Sequence, residues 1–155
     1  MLSLIYVSTA REGLGEADVK AIAEKAAANN AKNDITGLLA YNSQCFMQLL
    51  EGASTAVLAV MRWIERDERH GNIIYIRQQQ RDVRECPDWS MRSLITPLSG
   101  LGSASVFTDS LPVTMELDTK ILFTSFASSL SAQQAIHHQQ SEQMFHSRQR
   151  APDND

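Results

Sequence analysis

Between residues 2 and 95 the apolar side chains recur with a period that alternates between two and 3.6, and the order of that alternation constrains the fold most. Residues 2–8 read as a strand. Gly13 and Gly15 end the loop behind it, and from Glu16 to about Asn30 the stripe Val19, Ile22, Ala23, Ala26 and Ala27 follows a helical period. Residues 36–41 and 45–51, joined by Asn42-Ser43-Gln44, read as a hairpin. Ser54 is the expected N-cap of a second helix with the stripe Val57, Val60, Met61 and Ile64, stopping near Gly71. Residues 73–76 give a fourth strand, 77–88 a polar connection, and Trp89 leads into a fifth strand ending near Ile95.

An order of strand, helix, strand, strand, helix, strand, strand has few solutions. Crossovers between parallel strands are right-handed, which puts both helices on one face of a single sheet. The predicted fold is α+β: a ferredoxin-like sandwich whose five-stranded mixed sheet carries two helices on one face. The first and third strands are expected to be adjacent and parallel, and the fifth to lie beside the first. After Pro97 the chain turns Ser- and Gly-rich over 99–105. A further helix is expected over about 116–130, where Ile121, Leu122, Phe123, Phe126, Ala127 and Leu130 form a nearly continuous apolar face. Such a face needs cover, so this extension should close the opposite face of the sheet. From Ser131 the composition is Gln-, His- and Ser-rich, as in a solvated tail. The expected organisation is a core over 1–98, a linker and helical cap over 99–130, and a polar tail over 131–155.

At 155 residues the chain can bury a substantial core. Its net charge of −4 argues against nucleic acid as a direct partner. No apolar run is long enough to cross a bilayer and no basic leader precedes the first strand, so a cytoplasmic location is expected. Cys45 and Cys86 are the only cysteines. Cys45 reads as a small core residue in mid-strand, and a reducing compartment fits.

Two polar residues stand where these strands should be apolar. Tyr6 interrupts the first strand and Gln48 the third, and a buried phenol or amide needs a hydrogen-bond partner. Asn30 extends the apolar stripe of the first helix, seven residues past Ala23, so another amide points at the sheet. Each has an ordinary explanation alone: a satisfied strand tyrosine, an edge glutamine, a helix-terminal asparagine. If the strands pair, Tyr6, Gln48 and Asn30 converge on the groove between the helices. His137, His138 and His146 have no partner motif and read as tail residues rather than metal ligands.

Tyr6, Asn29-Asn30, Ile35-Thr36-Gly37-Leu38-Leu39, Gln48, Leu50-Glu51-Gly52, Asp67-Glu68-Arg69-His70 and Trp89-Ser90-Met91 occur in an order that resembles the BLUF family of flavin-based blue-light sensors. The resemblance covers residues 2 to about 98, and the extension is similar to that of short stand-alone members. It implies a non-enzymatic photoreceptor holding a flavin, FAD with FMN or riboflavin as alternatives, between the two helices. Ile22 and Ile64 would flank the ring. Asn30 and Asn29 would pair with its polar edge, since an amide offers donor and acceptor together. Asp67, Arg69 and His70 would meet the pyrimidine and ribityl side. Tyr6 would be the electron donor and Gln48 the bridging amide that rearranges, with Trp89 and Met91 relaying the change. Near the middle of the second helix, Trp63 stands where some members carry a basic residue, with Arg62 and Arg66 close by. The family also implies an effector protein in trans and a homo-oligomer. Two other classes fit the fold. An acylphosphatase-like hydrolase could use Arg11 as anion ligand, but its phosphate loop is poorly formed and no nucleophile stands out. A sheet-face RNA binder would need paired surface aromatics on its strands, which are missing.

Overall fold

The computed structural model describes residues 1–95 and 103–129. The elements are β1 (Leu2–Ala10), α1 (Glu16–Lys32), β2 (Thr36–Tyr41), β3 (Cys45–Gly52), α2 (Ser54–Ile64), β4 (His70–Gln80), β5 (Arg92–Ile95) and α3 (Ser103–Asp109). Residues 117–129 form a further helix, here α4. The strands make one sheet in the order β4-β1-β3-β2-β5. This is the ferredoxin-like sandwich expected from the alternation of periods. Residues 96–102, which take in the end of the expected core and the start of the expected linker, and 130–155, which take in Leu130 of the expected helix and the expected tail, lie outside the described residues.

Two strand relations differ from expectation. β1 and β3 are adjacent but antiparallel, with Tyr6 opposite Gln48. The hairpin between β2 and β3 reverses the chain, so β3 must run against β1 once it inserts between β1 and β2. β5 lies beside β2, parallel to it, and not beside β1. The place next to β1 is taken by β4, which pairs with it antiparallel from Leu2–Gln80 to Ala10–His70. β4 is therefore much longer than residues 73–76. As an edge strand it tolerates the polar run Arg77-Gln78-Gln79-Gln80 that read as a connection.

Local details explain the helix bounds. At the start of α1 the Asp18 carboxylate accepts the Gly15 N–H at 2.9 Å. At its end Asp34 takes a left-handed φ of 51°. Ala53, not Ser54, is the N-cap of α2; the Ser54 hydroxyl instead accepts from Gln80 Nε2 at 3.2 Å, tying α2 to β4. α2 stops at Ile64 rather than near Gly71, because Arg66 and Asp67 close turns onto the Trp63 and Ile64 carbonyls. Cys45 is the first residue of β3 and half-buried, not mid-strand.

Strand alternation divides the interior in two. Leu4, Tyr6, Leu39, Tyr41, Phe46 and Leu50 face α1 and α2, meeting Val19, Ala23, Val57 and Met61. Ile5, Leu38, Ala40, Met47 and Leu49 face the other way, covered by Phe107, Leu111, Met115, Phe123 and Ala127 of the extension. The C-terminal extension thus lies on the opposite face from α1 and α2.

A buried polar network ties the extension down. Glu51 of β3 is fully buried, and its carboxylate accepts the backbone N–H groups of Glu85 and Cys86 at 2.9–3.0 Å. Burial pushes its pKa up despite those bonds. Glu85, also buried, accepts from Arg77 Nη2 at 2.6 Å, Thr119 Oγ1 at 2.6 Å and the Glu116 N–H at 3.1 Å. Thr114 donates to the Glu85 carbonyl at 2.7 Å. Glu116 and Asp118 lie near Glu85, but Arg77 and Arg81 already neutralise these carboxylates.

Candidate functional site

β1 and β3 carry the polar residues of the groove because their alternation sends positions 6, 46 and 48 toward the helices. The Tyr6 O–H donates to Gln48 Oε1 at 2.5 Å, fully out of solvent. Burial and the nearby Asp67 carboxylate push the Tyr6 phenol well above its ordinary pKa. It stays protonated and acts as a donor. Gln48 Nε2 in turn donates to Met91 Sδ at 3.5 Å, which orients the amide: its carbonyl toward Tyr6, its NH2 toward the thioether. Asn30, 1% exposed, donates from Nδ2 to the Ser90 carbonyl at 3.0 Å. The helix-side amide and the β3 amide are therefore each tied to the segment entering β5.

These groups open onto one cavity of about 620 Å³ between α1 and α2. Every residue expected at a cofactor site lines it: Tyr6, Ile22, Asn29, Asn30, Gln48, Ile64, Asp67, Arg69 and His70. The volume is that of a small-molecule site, with apolar flanks and few convergent polar groups. Its depth is formed by Tyr6, Leu39, Phe46, Gln48 and Asn30, all nearly inaccessible. The Arg69 guanidinium grips the Asp67 carboxylate side-on, at 2.5–3.0 Å, and holds it below the usual carboxylate pKa. His70 bridges Ser8 Oγ at 2.8 Å and the Ile64 carbonyl at 2.9 Å, so Nε2 carries the proton facing that carbonyl. The histidine thus fastens the end of α2 to β1.

Lys25, Phe46 and Val60 also line the cavity and were not singled out from the sequence. Phe46 was placed on the face of Gln48, and Val60 on the stripe of α2, so periodicity held the signal. Lys25 lies three residues past Ile22, on the cavity side of the apolar stripe. The two expected relay residues separate. Met91 is buried in the helix-side core beside Gln48. Trp89 packs against the opposite core, under the Arg92 guanidinium 4.7 Å from its ring centre. Trp89 reaches the network through its backbone: its carbonyl accepts the Gly37 N–H at 2.7 Å. Gly37 is also a point of close approach. A Cβ there would stand 2.0 Å from the Leu49 carbonyl oxygen and 3.3 Å from Met91 Cε. Arg11, the anion ligand of the hydrolase alternative, does not line the cavity.

Comparison with known proteins follows the same line. The model of the family "BLUF: Sensors of blue-light using FAD" matches residues 1–92. The chain is 31% identical over 94 residues to the photoactivated adenylate cyclase subunit beta of Euglena longa, covering 60% of this chain and 11% of that protein. It spans about a tenth of the length of the curated cyclase relatives it matches first. Among solved structures, the dark state of BlrB, a BLUF protein, superposes with a TM-score of 0.64 at 30% identity, covering 83% of this chain and 96% of that one. Klebsiella pneumoniae BlrP1, solved with FMN and cyclic diGMP, gives a TM-score of 0.71 at 25% identity, covering 83% of this chain and 35% of that one.

Proposed function

Since this chain belongs to the BLUF family of blue-light sensors, we propose that the cavity between α1 and α2 holds a flavin ring and that Tyr6 and Gln48 are its photoactive pair. The protein is a flavin photoreceptor that signals onward; the matched domain is a signalling module, not an enzyme. The observation that carries the residue assignment is the buried Tyr6–Gln48 hydrogen bond opening onto the cavity between α1 and α2. Ile22 and Ile64 fit the ring flanks, Asn30 and Asn29 its carbonyl and N3–H edge, and Asp67, Arg69 and His70 its pyrimidine and ribityl side. Bound flavin supplies blue-light absorption and, once excited, a strong one-electron acceptor.

The protein's part follows from the hydrogen bonds. Tyr6 keeps its proton in the resting site because burial opposes phenolate. Oxidation of the ring makes the O–H strongly acidic, and the bond to Gln48 Oε1 gives that proton a path. Reversal restores the composition but leaves the amide free to settle turned over. A turned Gln48 presents its oxygen to Met91 Sδ and its NH2 to Tyr6, so the bond to the thioether, which can only accept, is lost and the one to Tyr6 reverses direction. Met91 is thus the first group beyond the cavity to register the change, with Trp89 behind it through the backbone.

We assign residues 1–98 to the sensor, 99–130 to the helical cap that carries the output, and 131–155 to a polar tail. Output passes to an effector protein in trans or through self-association, in the cytoplasm. Among the described residues no helix is long and apolar enough to cross a membrane. The test is optical. Protein loaded with oxidised flavin should shift its absorption slightly to the red under blue light and return in darkness. Flavin-loaded protein with no reversible shift would refute the assignment.

A further inference from the structure

Tyr6 has a second phenol beside it, on the strand away from Gln48. It stands directly opposite Tyr75 of β4, just as it stands opposite Gln48 of β3. Directly opposed residues of an antiparallel pair project to one face, with Cβ atoms about 5 Å apart. The Tyr75 O–H confirms the face: it donates at 2.5 Å to Oε1 of Glu65, the C-terminal cap of α2. Tyr75 is 46% exposed and does not line the cavity. β1 thus holds Tyr6 between an amide that opens onto the cavity and a phenol that opens onto solvent. The two phenols differ in what accepts their hydrogen bonds. Tyr6 donates to an amide oxygen, a poor base, whereas Tyr75 donates to a carboxylate, which can take the proton outright. In the resting protein that proton is on Tyr75, because the Glu65 carboxylate pushes the phenol up to about 12.

Resting on the flavin reading above, the geometry points to Tyr75 as a second redox tyrosine, an outlet through which oxidised Tyr6 regains its electron before Gln48 turns, with Glu65 as the proton acceptor. One electron passes from the Tyr75 ring to oxidised Tyr6, and the Tyr75 O–H proton passes to Glu65 Oε1. Tyr6, which has not yet released its own proton, is a neutral phenol again. Tyr75 becomes a neutral phenoxyl radical and Glu65 a carboxylic acid. The light-excited flavin is the oxidant and keeps the electron taken from Tyr6, so electrons and protons balance. A cross-strand pair is close enough for electron transfer without ring contact, and the proton moves along a hydrogen bond already in place. Oxidised Tyr6 therefore has two exits. Proton loss toward Gln48 leads to the switch. Electron gain from Tyr75 ends the attempt with the amide where it began, so the outlet lowers the yield of switching.

Flavin-loaded protein frozen under blue light and read by electron paramagnetic resonance tests this, with the yield of the red-shifted form per absorbed photon measured alongside. The parent should show a tyrosyl radical that Tyr75→Phe removes, and Tyr75→Phe should raise the yield. Glu65→Gln keeps the phenol and a hydrogen-bond acceptor but not the base, so it should lose the same radical and raise the yield as well. Tyr75 and Glu65 are both exposed, so neither substitution disturbs the core. Tyr6→Phe cuts the supply and should also abolish the Tyr75 radical. The outlet is overturned by a parent without a Tyr75 radical, by a Tyr75 radical that survives in Tyr6→Phe, or by a yield that Tyr75→Phe or Glu65→Gln leaves unmoved. Each of those results leaves the sensor reading standing if the parent still shifts reversibly. A parent that holds flavin and shows no reversible shift overturns both.

Discussion

Glu51 offers the sharpest test of how the sensor core is joined to its cap. Glu51→Ala removes the acceptor for the Glu85 and Cys86 N–H groups without opening a path for water. Each stranded buried donor costs about 1–3 kcal/mol. The variant is spared the desolvation of a carboxylate, so the net loss should be about 2–4 kcal/mol. Glu51→Gln keeps one carbonyl acceptor and should lose about 1–2 kcal/mol. For a chain of this size, the alanine variant should melt about 5–15 °C below the parent. The loss should not be spread evenly. Glu85 holds Thr114, Glu116 and Thr119, so hydrogen exchange should quicken first over 114–119 while β1 and β3 stay protected. Urea unfolding and hydrogen exchange at pH 7 measure both. An alanine variant within about 0.5 kcal/mol of the parent, with unchanged exchange over 114–119, would refute the claim that this carboxylate clamps the cap.

Four further outcomes are expected. Tyr6→Phe should keep flavin but lose the reversible red shift; a normal shift would exclude Tyr6 as electron donor. Asn30→Ala should weaken flavin retention after gel filtration by about 1–3 kcal/mol, since a buried polar edge loses its partner. Met91→Leu conserves volume but deletes the sulfur that accepts from Gln48, so the spectral shift should persist while light-dependent exchange over 92–95 and 103–129 is blunted. Equal blunting of both would assign Met91 to the photochemistry instead. Asp67, its pKa lowered chiefly by Arg69, contributes stability that is present above its unfolded value near 3.8 and lost as pH falls through the lower folded value. Asp67→Asn should abolish that segment of the acid unfolding profile, and a superimposable profile would count against the pair.

Which positions meet at the site was legible because it depends on alternation and helical period alone. Residues 46, 48 and 50 share a face in any register, and Asn30 follows Ala23 by two turns. Direction and neighbourhood were less so. The antiparallel entry of β3 follows from the hairpin turn, a consequence that adjacency of the first and third strands does not convey. β5 is short, Arg92–Ile95, and nothing in its composition selects β2 over β1 as partner. β4 was truncated because the amides of Gln78–Gln80 suit an edge strand and a loop equally. Trp89 and Met91, two residues apart, would share a face in a strand; both precede β5, where the chain is irregular, and there they fall to opposite cores. Lys25 carried no signal because an exposed helical lysine is the commonest of features.

Gly37 sets the tolerance of the switch to redesign. Its missing side chain lets β2 lie against the Leu49 carbonyl and leaves Met91 Cε room beside it. Three strands therefore share a clearance of one hydrogen atom: β2 at Gly37, β3 at Leu49 and the approach to β5 at Met91. A bulkier group at 91 has no slack to borrow from position 37, and any side chain at 37 must push β3 or Met91 aside. Efforts to tune the lifetime of the lit state through residue 91 should therefore find few viable replacements, all near methionine in size, with position 37 closed to variation.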